Sequence, residues 1–454
     1  MIEEDDNRRW TTKTVDRRRF LKTTAGVAGA ALAVSPLDSF AASAQRLGLD
    51  GLPPAPKQLS GHLTVAFFGA ADIVKAWTPI FNGFRKLHPK VDLELVPIPA
   101  PTWTGYADAA ILQMAGGKKF DILQAAVNIQ RLFINKNVVE PLDAYITRDR
   151  HELAPYFADE NPKFFNWNKT LISKGGPTYY LPADYNTYCA WVNTKMFKDA
   201  GVPVPTDDWT WSDLMAAGAK ICTSPDKFLI NVDPGDMFFF QPWALTNGST
   251  ILSADWSKST FAAPKTIEAA RFAQSLCAKG YSPKPGGAFD VTTEFANDKL
   301  AIFGAGAWLN PSVKAAGAAG KAKIVAWPQN TRKGTSVGWN AYPIVRSSKN
   351  KEAAWAFLKY LMSTGVAGTL AKTGQATPGR KSIFKKYMPT AAPEQGISEL
   401  WTSLNYATPT PSPNASDAIN QAIIKTLTQI YSSTGDPAPL MRALDQQVTS
   451  LLKG

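Results

Sequence analysis

Apolar and polar positions follow two rhythms along this chain. Leu63–Phe68 (LTVAFF) is a run of β-branched and aromatic residues, and Ile73–Leu87 repeats its apolar residues at helical spacing until His88-Pro89. Val91–Val96 (VDLELV) alternates apolar and polar side chains, as a strand with one buried face does. Tyr106–Met114 reads as a helix closed by Gly116-Gly117. Phe120–Ala125 (FDILQA) reads as a third strand, and a helix through Leu132 and Phe133 follows. This spacing of strands and helices predicts parallel strands joined by crossover helices, an α/β sheet.

The middle of the chain keeps the rhythm. Thr178–Leu181, Cys189–Asn193, Phe228–Val232, Leu300–Phe303 and Lys323–Ala326 are strand candidates, with Lys195–Ala200 a short helix. Thr210-Trp-Ser-Asp213 is a capping box: the Thr hydroxyl and the Asp carboxylate each serve the other's backbone N–H and open a helix to Ile221. Lys351–Met362 (KEAAWAFLKYLM) is an amphipathic helix. The rest is mainly helical, with a Pro-rich break at Thr408–Pro413.

The first residues obey neither rhythm. Asp16-Arg17-Arg18-Arg19-Phe20-Leu21-Lys22 precedes a short apolar stretch, Thr23 to Val34, and then Ala42-Ser43-Ala44. A basic segment, a short apolar segment and an A-x-A site describe a secretory signal. The paired Arg before x-Phe-Leu-Lys resembles the twin-arginine signal of proteins exported folded. Residues 1–44 are therefore expected to be a signal peptide cleaved after Ala44, residues 45–60 a Pro- and Gly-rich linker, and the destination the periplasm. No later apolar run is long enough to span a bilayer.

Composition narrows the remaining choices. A chain of 454 residues, 45% hydrophobic and 19% charged, is of ordinary globular type and long enough for two domains. Cys189, Cys222 and Cys277 have neither the number nor the spacing of a disulfide framework or zinc site. The net charge of +12 is not gathered into a basic face, so nucleic acid is not an expected partner. The chain contains no G-x-S-x-G, H-E-x-x-H, Walker or Rossmann motif, and His62, His88 and His151 read as surface residues. No metal, cofactor or catalytic residue is expected. The aromatic excess (14 Trp, 13 Tyr, 23 Phe) is left to explain.

Several segments in order resemble the extracellular solute-binding proteins of ABC transporters, family 1, of the maltose-binding-protein-like kind. Phe84–Val96 (FRKLHPKVDLELV) is similar to the family's helix-to-strand junction. Met114–Asp121 (MAGGKKFD) resembles its following turn, with Phe120 in place of the usual proline. Tyr180–Asn186, Trp191–Phe197, Ala200-Gly201 and Trp209–Asp213 look like its central signature. Leu300–Gly304 with Trp308 is a partial match to a later segment, with Ile302 where methionine is usual. Val337–Ile344 leading to Ser348–Trp355 resembles its late crossover strand and helix. The resemblance implies the type II periplasmic-binding-protein fold, two α/β lobes joined by hinge strands around a ligand cleft. It places crossings near Asp184–Thr187, Val337–Ala341 and Gln375–Arg380. Lobe one is then 61–184 with 341–375, and lobe two 187–336 with 376–454. It also implies a monomer that delivers a carbohydrate to ABC permease subunits.

A sugar offers apolar C–H faces and a rim of hydroxyls, so its site needs flat aromatic platforms and polar partners. Trp308 follows a strand and a Gly-Ala-Gly turn, and Trp339 and Asn340 lie on the second crossing. Asp184, Tyr185 and Asn186 lie on the first, and Trp243 belongs to an aromatic run with Phe238, Phe239 and Phe240. Phe68, Asp72 and Asn128 sit near strand C-terminal ends, where ligands collect in open α/β sheets. A non-sugar ligand in the same fold (a polyamine, or ferric iron on Tyr179 and Tyr180) and a secreted polysaccharide-active enzyme are the alternatives.

Overall fold

The computed structural model describes Gln45 and residues 52–453, apart from 70, 101, 287, 288, 375 and 392–394. The expected signal peptide and its cleavage point, most of the linker and Gln375 lie outside the described residues. In the first sheet, β1 (Gly61–Phe68) runs through the middle and α1 (Ala71–Leu87) returns the chain to β2 (Val91–Ile98). Then α2 (Trp103–Ala115) returns it to β3 (Ile122–Leu123), and both outer strands are parallel to β1. Leu63 through Phe67 are all buried, as befits a central parallel strand covered on both faces. Leu63, Val65 and Phe67 pack with Trp355 in one core cluster, while Ala66 faces another.

Phe120–Ala125 is not one strand. Gln124 interrupts it, donating its N–H to Ala66 O (2.9 Å) and accepting Phe68 N–H on its side chain (3.1 Å). Past it, β4 (Ala125–Ala126) joins a different sheet and leads into α3 (Val127–Asn135). The remaining strands are β5 (Pro182–Thr187), β6 (Cys189–Asn193), β7 (Phe228–Ile230), β8 (Leu300–Ala305), β9 (Ala322–Val325), β10 (Thr335–Ala341), β11 (Thr377–Pro378) and β12 (Ala407–Pro409). The second sheet has the order β11-β5-β10-β12 with β4 also on β10; the third has the order β7-β8-β6-β9.

Two expectations are corrected here. Thr178–Leu181 is not a strand; the strand begins at Pro182, a first position where no ladder N–H is required. The Pro-rich break at Thr408–Pro413 holds most of β12, whose Pro409 lies opposite Val337. The capping box forms as read: Asp213 N–H donates to Thr210 Oγ1 (3.2 Å), and Thr210 N–H to Asp213 Oδ2 (2.8 Å). It opens α4 (Trp211–Ile221); Trp209 and Trp211 beside it are buried. Further on, α5 (Met237–Thr246), α6 (Lys351–Leu361), α7 (Ser416–Tyr431) and α8 (Ala438–Lys453) are the longer helices used below. The buried faces of α7 and α8 extend the largest core cluster.

Candidate ligand site

The second sheet contains two of the three expected crossings entire, β5 and β10, and part of the third in β11. In the antiparallel β5–β10 pair, Asn186 lies opposite Gly338 and Asp184 opposite Asn340, while Tyr185 lies opposite Trp339. Side chains alternate along a strand, so these pairs belong to opposite faces. One face is polar: Asn186, Gly338 and Asn340 are half-buried, and Asn340 Nδ2 donates to Asp184 Oδ1 at 2.6 Å. The other face is core. Tyr185 packs on Phe164 (5.2 Å), and Trp339 stacks on Trp167 (5.8 Å, 18°).

The polar face is enclosed from several elements. A Cβ placed on Gly338 would lie 3.4 Å from Val127 Cγ1 and 3.8 Å from Phe238 Cε2, so α3 and α5 meet over it. Asn128 is the next residue of α3; Ser416 Oγ of α7 donates to its carbonyl (3.2 Å). Asp236 caps α5 by accepting Phe238 N–H at 2.8 Å. Asn186 Oδ1 accepts Ala307 N–H at 3.0 Å and so fixes the short helix Ala307–Leu309, which carries Trp308. Trp308 is 37% exposed, one of three large apolar side chains so open among the described residues, and its ring lies 5.8 Å from that of Phe238. On the first-sheet side, half-buried Phe68 stacks on Trp103 (4.4 Å, 26°).

Electrostatically the enclosure is acidic. Burial pushes the Asp184 carboxyl up to about 6 against the opposing bond from Asn340. Burial also raises Asp236 to about 6, offset in part by Phe238 N–H and the Asn128 side chain; burial raises Asp233 too. Both keep some surface open while closely surrounded, as residues lining a concavity do. Charged, these carboxyls accept hydrogen bonds from ligand hydroxyls; neutral, they can also donate one. Among the described residues no group of three His, Cys, Asp or Glu side chains is placed to hold a metal ion, and Cys189, Cys222 and Cys277 are free thiols.

Of the residues chosen from sequence, the structure gathers Asn128, Asp184, Asn186, Trp308 and Asn340 around one face, with Phe68 toward the first sheet. Tyr185 and Trp339 stand on the back of the same ribbon, because neighbours on a strand cannot share a face. Trp243 is 2% exposed, packed between Trp211 (6.1 Å) and Trp327 (4.8 Å), and serves as core. The Asp72 side chain lies outside the described residues. Asp236 and Phe238 line the site without having been chosen; the Asp two residues before an apolar run was a legible helix cap. Two surface hollows of about 410 and 450 Å³ lie elsewhere, one beside His62 and Arg85, the other beside Trp211 and Arg271.

Comparison with known proteins agrees with this architecture. The chain superposes on an ABC substrate-binding protein from Listeria monocytogenes in complex with cycloalternan. The TM-score is 0.78 at 21% identity, covering 87% of this chain and 99% of that one. It superposes on the GacH receptor of Streptomyces glaucescens, solved unliganded and with acarbose (0.75, 22%, 87% and 99%). It does so also on the sugar-binding protein MalE from Xanthomonas citri (0.71, 21%, 87% and 98%). The fold is thus the two-lobe type II periplasmic-binding-protein fold, with hinge strands between lobes. The model of the bacterial extracellular solute-binding protein family matches residues 70–368, and the chain belongs to that family.

Proposed function

We propose that this protein is an exported receptor that captures a carbohydrate, an oligosaccharide or sugar derivative, and hands it to the permease of an ABC importer. The observation that carries the reading is an open indole, Trp308, held beside a polar strand face by Asn186. A pyranose presents an apolar face to such a ring and hydroxyls to Asn186, Asn340, Asp184 and Asn128. The bound sugars of similar structures, cycloalternan and acarbose, support the same class.

On this reading β5, β10 and β11 are the hinge, lobe one is 61–184 with 341–375, and lobe two is 187–336 with 376–454. Capture is non-covalent; the ligand favours the closed arrangement by touching both sides at once. The twin-arginine signal over residues 1–44 places the monomer in the periplasm, and no residue is asked to make or break a bond. A thermal-shift screen of sugars tests the proposal, since a ligand bound only by the folded state raises the melting temperature. A rise with a carbohydrate and no turnover is expected. Stabilisation by non-sugars alone, or release of cleavage products, would defeat it.

A further inference from the structure

The strongest unassigned feature near the site is a buried cation without a counter-charge. Arg131 lies on α3 three and four residues beyond Asn128 and Val127, so it shares their helix face. It is 6% exposed. A guanidinium carries five N–H donors and stays charged in proteins. Among the described residues, Arg131 has no hydrogen bond, ion pair or aromatic partner, and burial lowers its pKa.

The protein treats its other enclosed arginines differently. Arg380 reaches Asp159 (3.0 Å), Met362 O (3.0 Å) and Pro155 O (3.2 Å), and Arg148 reaches Asp149 and Glu352, each at 2.8 Å. A fold that satisfies those two leaves Arg131 open. Uncompensated charge is costly to bury, so the Arg131 guanidinium is suited to an anion from outside.

Lys174 reinforces it. This residue follows the π-helical turn Asn168–Ile172 in a left-handed conformation (φ 47°), and the Arg131 charge is the main influence lowering its pKa. Asp255, on the bridged loop between Leu252 and Ser259, acts on Lys174 with opposite sign. Its carboxylate is already taken by Ser253 Oγ (2.6 Å) and Ser257 Oγ (2.8 Å). Two acids of the floor are engaged as well: Asp184 accepts from Asn340 and Asp236 from Phe238 N–H.

We infer that the carbohydrate bound here carries an anionic group, a carboxylate or a phosphate, that pairs with Arg131 and is flanked by Lys174; this rests on the carbohydrate reading above. A planar guanidinium meets either group with two parallel hydrogen bonds.

The test is calorimetric titration of the full chain with digalacturonate, maltose 6′-phosphate, digalactose and maltose, repeated on Arg131→Gln, Arg131→Lys and Lys174→Gln. One anionic sugar should bind at least about tenfold tighter than its neutral parent, and which one separates carboxylate from phosphate. Arg131→Gln should erase that margin and leave neutral sugars unchanged, Arg131→Lys should restore part of it, and Lys174→Gln should reduce it less. Because Arg131 holds nothing in place, Arg131→Gln should melt no lower than the native chain without ligand. Lys174→Gln, on an exposed loop, keeps the test open if it does. Neutral parents bound as tightly as both acids, or a margin that survives Arg131→Gln, overturns the inference and leaves the carbohydrate reading standing. Binding of none of the four sugars counts against both.

Discussion

Gly306→Ala probes the placement of Trp308 without touching the indole itself. Gly306 precedes the short helix with φ −95° and ψ −160°, a conformation open to any L-residue, so the substitution adds no backbone strain. The new Cβ would instead lie 2.4 Å from Trp308 Cζ3 and 2.8 Å from Asn186 Cβ. Carbon atoms rest about 3.5–4.0 Å apart, so the ring must retreat by roughly 1 Å. Overpacking of this kind costs about 1–3 kcal/mol of stability. A tilted platform forfeits about 1 kcal/mol of ring contact, roughly a fivefold loss in sugar affinity. In a Trp308→Ala background the ring clash vanishes and only the Asn186 contact remains, so Gly306→Ala should destabilise less there than in the native chain. Urea unfolding of the four members of this cycle gives the coupling, and titration with the best sugar of the screen gives the affinities. Unchanged affinity in folded Gly306→Ala, or the same stability loss in both backgrounds, refutes the role given to Trp308.

Thr210→Ala removes the hydroxyl that accepts Asp213 N–H, while the bond from the Thr210 backbone N–H to Asp213 Oδ2 can persist; it should cost about 1 kcal/mol in urea unfolding, with Thr210→Ser restoring most of it. Glu160 is 1% exposed with Oε2 unpartnered, and burial pushes its carboxyl up to about 8. Because the folded-state value is raised, its favourable contribution is complete below the ordinary carboxylate range and is lost as pH climbs toward 8. The size is roughly 3–5 kcal/mol by linkage. Glu160→Gln should therefore unfold with a flatter dependence between pH 5 and 8.5 than the native chain; parallel slopes would show that the acid is not held neutral.

How much could be read from sequence depended on whether one local rule governed each segment. β6 is buried at every position and carries no competing turn chemistry, and its bounds match the expectation residue for residue. The capping box and α6 are likewise settled within a few residues. Gln124 was different: the apolar run on either side of it is continuous, and what breaks the strand is a change of partner sheet, from β1 to β10. β12 is three residues long, contains Pro409, and exists because Val337 lies alongside. Within the site, the crossings were legible as segments, yet the face of each residue depends on register. Trp339 and Asn340 were chosen together although a strand must point them apart. Trp243 shows a limit of composition: an indole flanked by Phe240 and Phe239 carries the same signal whether it floors a pocket or fills a core.

The arrangement of β5, β10 and β11 in one hydrogen-bonded ribbon has a mechanical consequence. Three separate tethers would leave the lobes free to slide, bend and turn independently. Side-by-side strands share their load: sliding one past another breaks ladder bonds, whereas twisting a ribbon is cheap, because strands rest some 20° apart in any case. On the hinge assignment proposed above, that leaves one soft coordinate, torsion about the strand direction. Such a joint works as a torsion spring, and the ligand sets the angle it holds. Of the distances measured across it by spin labels on α2 and α4, one population should then fall as the other rises when ligand is added, with no third between them.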